Sequence, residues 1–350
     1  MDTSLAQLFH QMLTNPALAV TVILTLAVIF VNGWTDAPNA IATTVTTRSM
    51  GVRSAIIMSA ICNFCGVLFM TQLNGSVAAT ISNMVDFGQN TNQAQIALSA
   101  ALFSIVLYST AASYFGIPTS ESHSLIAGLT GAAIAIQHGM GGINWHEWVK
   151  VLYGLVLSLF LGFALGWLVC KLVVLICQKM DRRRTNNFFS GAQIFGSAAM
   201  SFMHGAQDGQ KFIGILLLGT AFANGRSSVA GEPIPVWLML LCSAVMGIGT
   251  SVGGERIIKA VGMKMTKLEK YQGFSSDIAG SLCILLSTVT GIPVSTTHIK
   301  ATAIMGVGSV KRLSAINFGV VKNMLATWLF TFPGCGLISF FMAKLFMWIF

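Results

Sequence analysis

From Ser54 to Val149 the chain carries neither Lys nor Arg, and this gap limits the fold more than any other feature of the sequence. Loops of a membrane protein that face away from the cytoplasm are depleted in Lys and Arg, whereas cytoplasmic loops collect them. Composition agrees with that setting: 54% of residues are hydrophobic and 9% charged, where soluble domains are about a quarter charged. A bilayer crossing takes roughly 20 apolar residues, so the chain has room for about eight to ten membrane-embedded helices in one polytopic domain.

The formal net charge of +9 then reports orientation. The basic residues form short clusters between apolar runs: Arg48 and Arg53; Lys179 with Arg182 to Arg184; Arg256, Lys259, Lys264, Lys267 and Lys270; and Lys311 with Arg312. These loops are expected on the cytoplasmic side. A nucleic-acid partner would need a basic stripe with interleaved aromatics, and none is present. Cys62 and Cys65 make a C-x-x-C inside an expected span, with no second pair, so packing is their expected role rather than redox or zinc chemistry. No Lys or Arg precedes Arg48, so Ala17 to Val31 lacks the basic flank of a signal peptide and is expected to be a retained first helix.

The charge pattern sets a topology. A first helix, about Ala17 to Thr47, runs inward, a second returns over Ala55 to Gln72, and a third enters again over Val149 to Cys177. Between the last two, Ile96 to Gln137 is long enough for two helices and is interrupted at Gly116-Ile117-Pro118, where Gly can end one helix and Pro start the next. Tyr271 to Gly308 is interrupted in the same way at Gly291-Ile292-Pro293, but it lies between basic flanks and should enter from the cytoplasm.

These interruptions belong to an internal repeat. Gly116 to His123 (G-I-P-T-S-E-S-H) matches Gly291 to His298 (G-I-P-V-S-T-T-H) at an offset of 175, and Asn32 to Asp36 answers His204 to Asp208 at 172. An odd number of crossings per half makes the repeats inverted. The expected fold is an all-α polytopic membrane protein of two inverted-topology repeats, residues 1–180 and 191–350, joined by a cytoplasmic linker over 181–190. Each repeat carries a helical hairpin broken at a Gly-x-Pro-x-Ser motif. Inverted repeats with interrupted segments near the midplane are the architecture of secondary transporters.

The broken hairpins carry chemistry. Helix starts rich in Ser and Thr offer hydroxyls and unpaired N–H groups at the positive end of the helix dipole, which suits an anion. Ser120, Glu121 and Ser122 would face Ser295, Thr296 and Thr297 across an oxyanion; close packing of small residues is the plainer reading. Asp36 and Asp208 are ionisable groups in apolar segments and stand out for that reason. With Asn32, Thr35 and Asn39 beside one, and Gln207 and Gln210 beside the other, they form an oxygen-rich set suited to a hard cation. Capping of broken helices would explain them equally simply. Lys211, three residues after Asp208, can pair with it, and Lys300 shares a helical face with Thr296 and Thr297. Glu121 is expected to be protonated or paired with Lys300. His123 and His298 are expected to hydrogen-bond to the tips or to relay protons.

The long motifs resemble the inorganic phosphate transporter family, and within it the bacterial low-affinity phosphate permeases. Asn32-Gly33-Trp34-Thr35-Asp36-Ala37-Pro38-Asn39-Ala40 is close to the family's N-G-x-N-D-x-A-N-A. Ser201 to Lys211 (S-F-M-H-G-A-Q-D-G-Q-K) is similar to the bacterial H-G-A-N-D-G-Q-K, and Gly291 to His298 reproduces G-x-P-V-S-T-T-H. The resemblance implies a homodimeric symporter in the plasma (inner) membrane, with no cofactor beyond a coupling cation. Phosphate would be held at the hairpin tips and by Asp36 and Asp208, with cations near the Asp signatures. Thr35 and Gln207 replace Asn before each Asp, Gln210 and Lys211 replace Ala-Asn, and Glu121 replaces Thr or Ser. These departures leave proton or sodium coupling open, together with a metal–phosphate complex as the species carried. Two rival readings remain: a permease for sulfate or another tetrahedral oxyanion, and an intramembrane aspartyl protease with Asp36 and Asp208 as its dyad.

Overall fold

The computed structural model describes residues 4–350 apart from 116, 118, 230–232, 253–257 and 259–266. Gly116 and Pro118 of the first break, and Arg256, Lys259 and Lys264 of one basic cluster, therefore lie outside the described residues. The described residues are helical, with one isolated β-bridge between Val85 and Ile143.

The first expected span is two helices. A short α1 (Leu5–Thr14) leads into α2 (Pro16–Thr35), and α3 (Pro38–Thr46) follows after a break at Asp36 and Ala37. Pro38 has no N–H to offer α2, so it begins a helix instead of continuing one. Then come α4 (Val52–Leu73), the short α5 (Ser76–Ser82), α6 (Thr91–Tyr114), α7 (Glu121–Ile136) and α8 (Trp145–Cys177). The second half has α9 (Arg182–Ala223), α10 (Val236–Val252), α11 (Lys270–Val289), α12 (Thr296–Ser309) and α13 (Phe318–Ile349).

Residues 181–190, expected to link the two halves, form the start of a helix. Asp181 accepts from the backbone N–H groups of Arg183 and Arg184, both at 3.0 Å, and starts the 42-residue α9. A good N-cap with no Pro or Gly before Gly191 lets the helix begin at once. Asp208 accordingly sits in mid-helix, and Asp36, at the C-terminal end of α2, bonds through its carboxylate only to side chains, so side-chain capping explains neither.

Among the described residues, five segments are long and apolar enough to cross a membrane by themselves: Pro16–Thr46, Val52–Leu73, Thr91–Tyr114, Trp145–Cys177 and Phe318–Ile349. The remaining long helices carry polar residues that are buried against neighbours, among them Gln193, Asp208, Lys211, Asp277 and Lys300. Hydropathy alone cannot count such helices, because their polar groups are paired inside the protein. The two outermost spans, α8 and α13, expose Tyr153, Phe160, Phe330 and Phe341, as lipid-facing helices do.

The broken helices pack crosswise. Ser339 on α13 donates to Gly128 O on α7 at 2.6 Å, and Cys335 Sγ reaches Ser124 O at 3.3 Å. On the other side α12 lies against α8, where a Cβ at Gly306 would fall 2.1 Å from Phe163 O. Near the end of α12 Glu269 accepts from Lys311 at 2.6 Å, and that bond holds the Lys311 ammonium above its ordinary value.

Candidate functional site

The two hairpin tips meet. Gly291 turns the chain with φ at 70°, a left-handed conformation that Gly reaches without a steric penalty. The expectation that Pro starts the following helix is corrected in the described break. Pro293 stays outside, and Ser295 caps α12 by accepting from His298 N at 3.2 Å. A Ser side chain supplies the cap bond that Pro cannot, so helix formation waits for it. In the other tip Ser120 caps α7, accepting from His123 N at 3.4 Å. The two cap hydroxyls touch, Ser120 Oγ to Ser295 Oγ at 2.7 Å, and Ser122 Oγ donates to Val294 O at 3.1 Å.

Lys211 lies at the centre. Its ammonium donates to Asp208 Oδ1, Ser122 Oγ and Val294 O, each at 2.6 Å, and so binds α9 to both tips. Asp208 Oδ2 accepts from Asn32 Nδ2 and Thr296 Oγ1, both at 3.2 Å. Asp36 accepts from Thr297 and, at 2.7 Å, from Asn39, whose amide also reaches Thr297 Oγ1 at 3.1 Å. Thr35 Oγ1 lies 3.1 Å from Glu121 Oε1.

Of the remaining amides, Gln207 spans Ile292 O at 3.1 Å and Thr288 Oγ1 at 2.6 Å, outside the Asp pair. Gln210 is buried with neither amide atom hydrogen-bonded.

Two expectations are corrected. Lys300 pairs with Asp277, not with Glu121, because Asp277 on α11 faces it directly. His123 and His298 contribute their backbone N–H groups to the tips, but their rings do not. The rings pack edge to face at 4.3 Å, against Phe332 and Trp328, and all four ring nitrogens are without a hydrogen bond. The helix start points each N–H at the cap while the side chain leans away toward α13.

His204 was not among the expected ligands, yet it completes the cluster. Asn63 gives its Nδ2 to Ser59 and Thr250, both at 3.3 Å, which turns its Oδ1 to His204 Nδ1 at 2.8 Å. Since Oδ1 can only accept, Nδ1 carries a proton, and Nε2 is the ring nitrogen turned to the cluster. Nε2 lies 3.4 Å from Asp208 Oδ2. Ligand atoms of Asp36, His204 and Asp208 all lie within 4.8 Å of one another. Two carboxylates so close repel unless positive charge or a proton lies beside them; Lys211 supplies one such charge to Asp208, and among the described residues Asp36 has none of its own.

Fold and site together define a multi-pass membrane transporter, built around two helix N-termini that converge inside the protein beside a carboxylate–imidazole cluster. The profile of the phosphate transporter family matches residues 32–183 and 175–339, and the chain belongs to that family. Relatives described as "Probable low-affinity inorganic phosphate transporter" include one from Bacillus subtilis (strain 168), 38% identical over 89% of this chain and 92% of the relative. Another is from Rhizobium meliloti (strain 1021), 35% identical over 89% and 90%. A solved structure titled "The sodium-dependent phosphate transporter" shares the fold, with a TM-score of 0.87 and 23% identity over 96% of this chain and 100% of that one. The protein is thus a phosphate transporter of the plasma membrane and not an enzyme, which removes the protease reading.

Proposed function

We propose that the chain is a cation-coupled importer of inorganic phosphate, working by alternating access with residues 1–180 and 191–350 as inverted halves of a protomer in a homodimer. Phosphate is held by the hydroxyls of Ser120, Ser122, Ser295, Thr296 and Thr297, by N–H groups in the first turns of α7 and α12, and by Lys211. Two helix N-termini and one ammonium supply the positive field that a phosphate needs. The crosswise packing of α7 on α13 and α12 on α8 supports the inverted relation. In the state described here the tips touch, so loading requires them to part, with phosphate oxygens taking the place of Val294 O on Lys211.

The observation that carries the coupling is the gathering of buried ligand atoms of Asp36, His204 and Asp208 within 4.8 Å of one another. A cation or proton shared by Asp36, His204 and Asp208, with Asn32 and Asn39 beside them, offsets the charge of the arriving anion. The solved neighbour's title favours sodium, whereas an imidazole nitrogen in the ligand set favours a proton or a divalent metal travelling with phosphate. Uptake of labelled phosphate into proteoliposomes, with proton, sodium and divalent metal gradients imposed separately, decides between them. Sulfate uptake that excess phosphate does not inhibit would transfer the site to another oxyanion.

A further inference from the structure

Away from the tips, a second buried polar cluster ties four helices together. Thr43 on α3, Gln193 on α9, Asp277 on α11 and Lys300 on α12 are each 0% exposed. The Lys300 ammonium donates to Asp277 and, at 3.0 Å, to Thr43 Oγ1. Thr43 Oγ1 also lies 2.8 and 3.0 Å from the two carboxylate oxygens of Asp277. Gln193 Nε2 donates to Asp277 Oδ2 at 2.6 Å, to Thr44 Oγ1 at 3.1 Å and to Thr43 Oγ1 at 3.3 Å.

That arrangement leaves one group over. Gln193 Oε1 is buried with no donor, held where α11 comes so close that a Cβ at Gly273 would lie 2.3 Å from it. A carboxylate, a hydroxyl and a free amide carbonyl are the oxygen donors that protein sites use for hard cations. Here a positive charge, bonded to the carboxylate and the hydroxyl but not to the amide carbonyl, is already part of the chain.

We propose that Lys300 is a tethered cation: its ammonium is held by oxygens of Asp277 and Thr43, which the Gln193 amide N–H2 braces, and by holding that place it excludes an exchangeable monovalent cation. Charge balance gives the idea its content. Removing the ammonium leaves one uncompensated buried carboxylate, and a single monovalent cation restores neutrality with the same ligands. An ordinary structural ion pair has no such property, since truncating one partner only leaves the other stranded.

The test reads thermal stability in detergent without phosphate, so it stands whether or not the transport reading holds. The Asp36, His204 and Asp208 cluster is intact in every variant and contributes the same background. Lys300→Ala is melted in sodium, potassium or choline chloride at one ionic strength. Sodium or potassium is expected to raise its midpoint over choline by roughly 3–5 °C more than in the wild-type protein. Lys300→Ala combined with Asp277→Asn is expected to lose that excess, because the site no longer carries a charge to neutralise. No excess response in Lys300→Ala, or the same excess in the double variant, overturns the proposal. Lys300→Ser is the second variant, and failure of both single variants to fold in high salt while the double variant folds overturns it equally.

Discussion

Lys211 is the side chain on which the described state most depends, and Lys211→Met removes its charge while keeping most of its length. The ammonium makes three bonds of 2.6 Å from a side chain only 1% exposed. Bonds to a charged donor are worth about 1.5–3 kcal/mol each, which caps the gross loss near 9 kcal/mol. The cost of burying the ammonium is recovered at the same time, so the expected net loss is that of breaking a buried pair, about 3–5 kcal/mol. Asp208→Asn strands the ammonium instead and should cost a similar amount. The double variant strands neither charge, so it should lose no more than either single one, a coupling of at least about 3 kcal/mol. Reversible unfolding in mixed micelles measures all three. Additive losses, or a Lys211→Met variant within about 1 kcal/mol of wild type, would refute the reasoning. Lys211→Arg should not rescue, since a planar guanidinium cannot aim three donors at these three oxygens.

Ser295→Ala removes a helix cap and the contact with Ser120, so it should lower stability by about 1–2 kcal/mol and raise the phosphate KM; Ser120→Ala added to it should cost less than the sum. Asp36→Asn should abolish cation-driven phosphate uptake in proteoliposomes, and full gradient-driven uptake would remove Asp36 from coupling. Glu121→Gln keeps the shape beside Thr35, so the variant should fold but shift the pH profile of uptake; an unchanged profile and rate would show that Glu121 handles no proton. Gly291→Ala forces a Cβ into a left-handed turn and, at 2.9 Å, onto Ser76, with an expected loss of at least about 1 kcal/mol in the same unfolding assay.

The helices and their breaks were legible because bilayer crossings and Gly-Pro interruptions are local signals. Both hairpins break where the motifs stand, and α4 and α8 lie within a few residues of the expected spans. The partners of buried charges were harder to read. Asp277 has the same signal as Asp36, a lone carboxylate in an apolar segment, and could have been found by it. Its pairing with Lys300, 23 residues away across a hairpin, follows no helical spacing. His204 was visible only as a motif letter, since the bond that turns its ring to the cluster comes from Asn63 on another helix. Polar helices such as α9 escaped counting because hydropathy assigns a cost to each polar residue and cannot see that the cost has been met by a partner.

The exchange of partners between halves also orders events during synthesis. The first broken helix ends at Ile136, but the helix it leans on begins at Phe318. At about 5–20 residues per second, the intervening stretch of roughly 180 residues takes on the order of 10–40 s to emerge. Through that interval α7, with Ser124 and Gly128 presented to a missing neighbour, must wait in lipid or against a translocation factor. Helix α8 waits in the same way for α12. The nascent first half is therefore an incomplete object whose exposed seams close only when α12 and α13 arrive, and truncations that remove α13 should surface as insertion defects at α7.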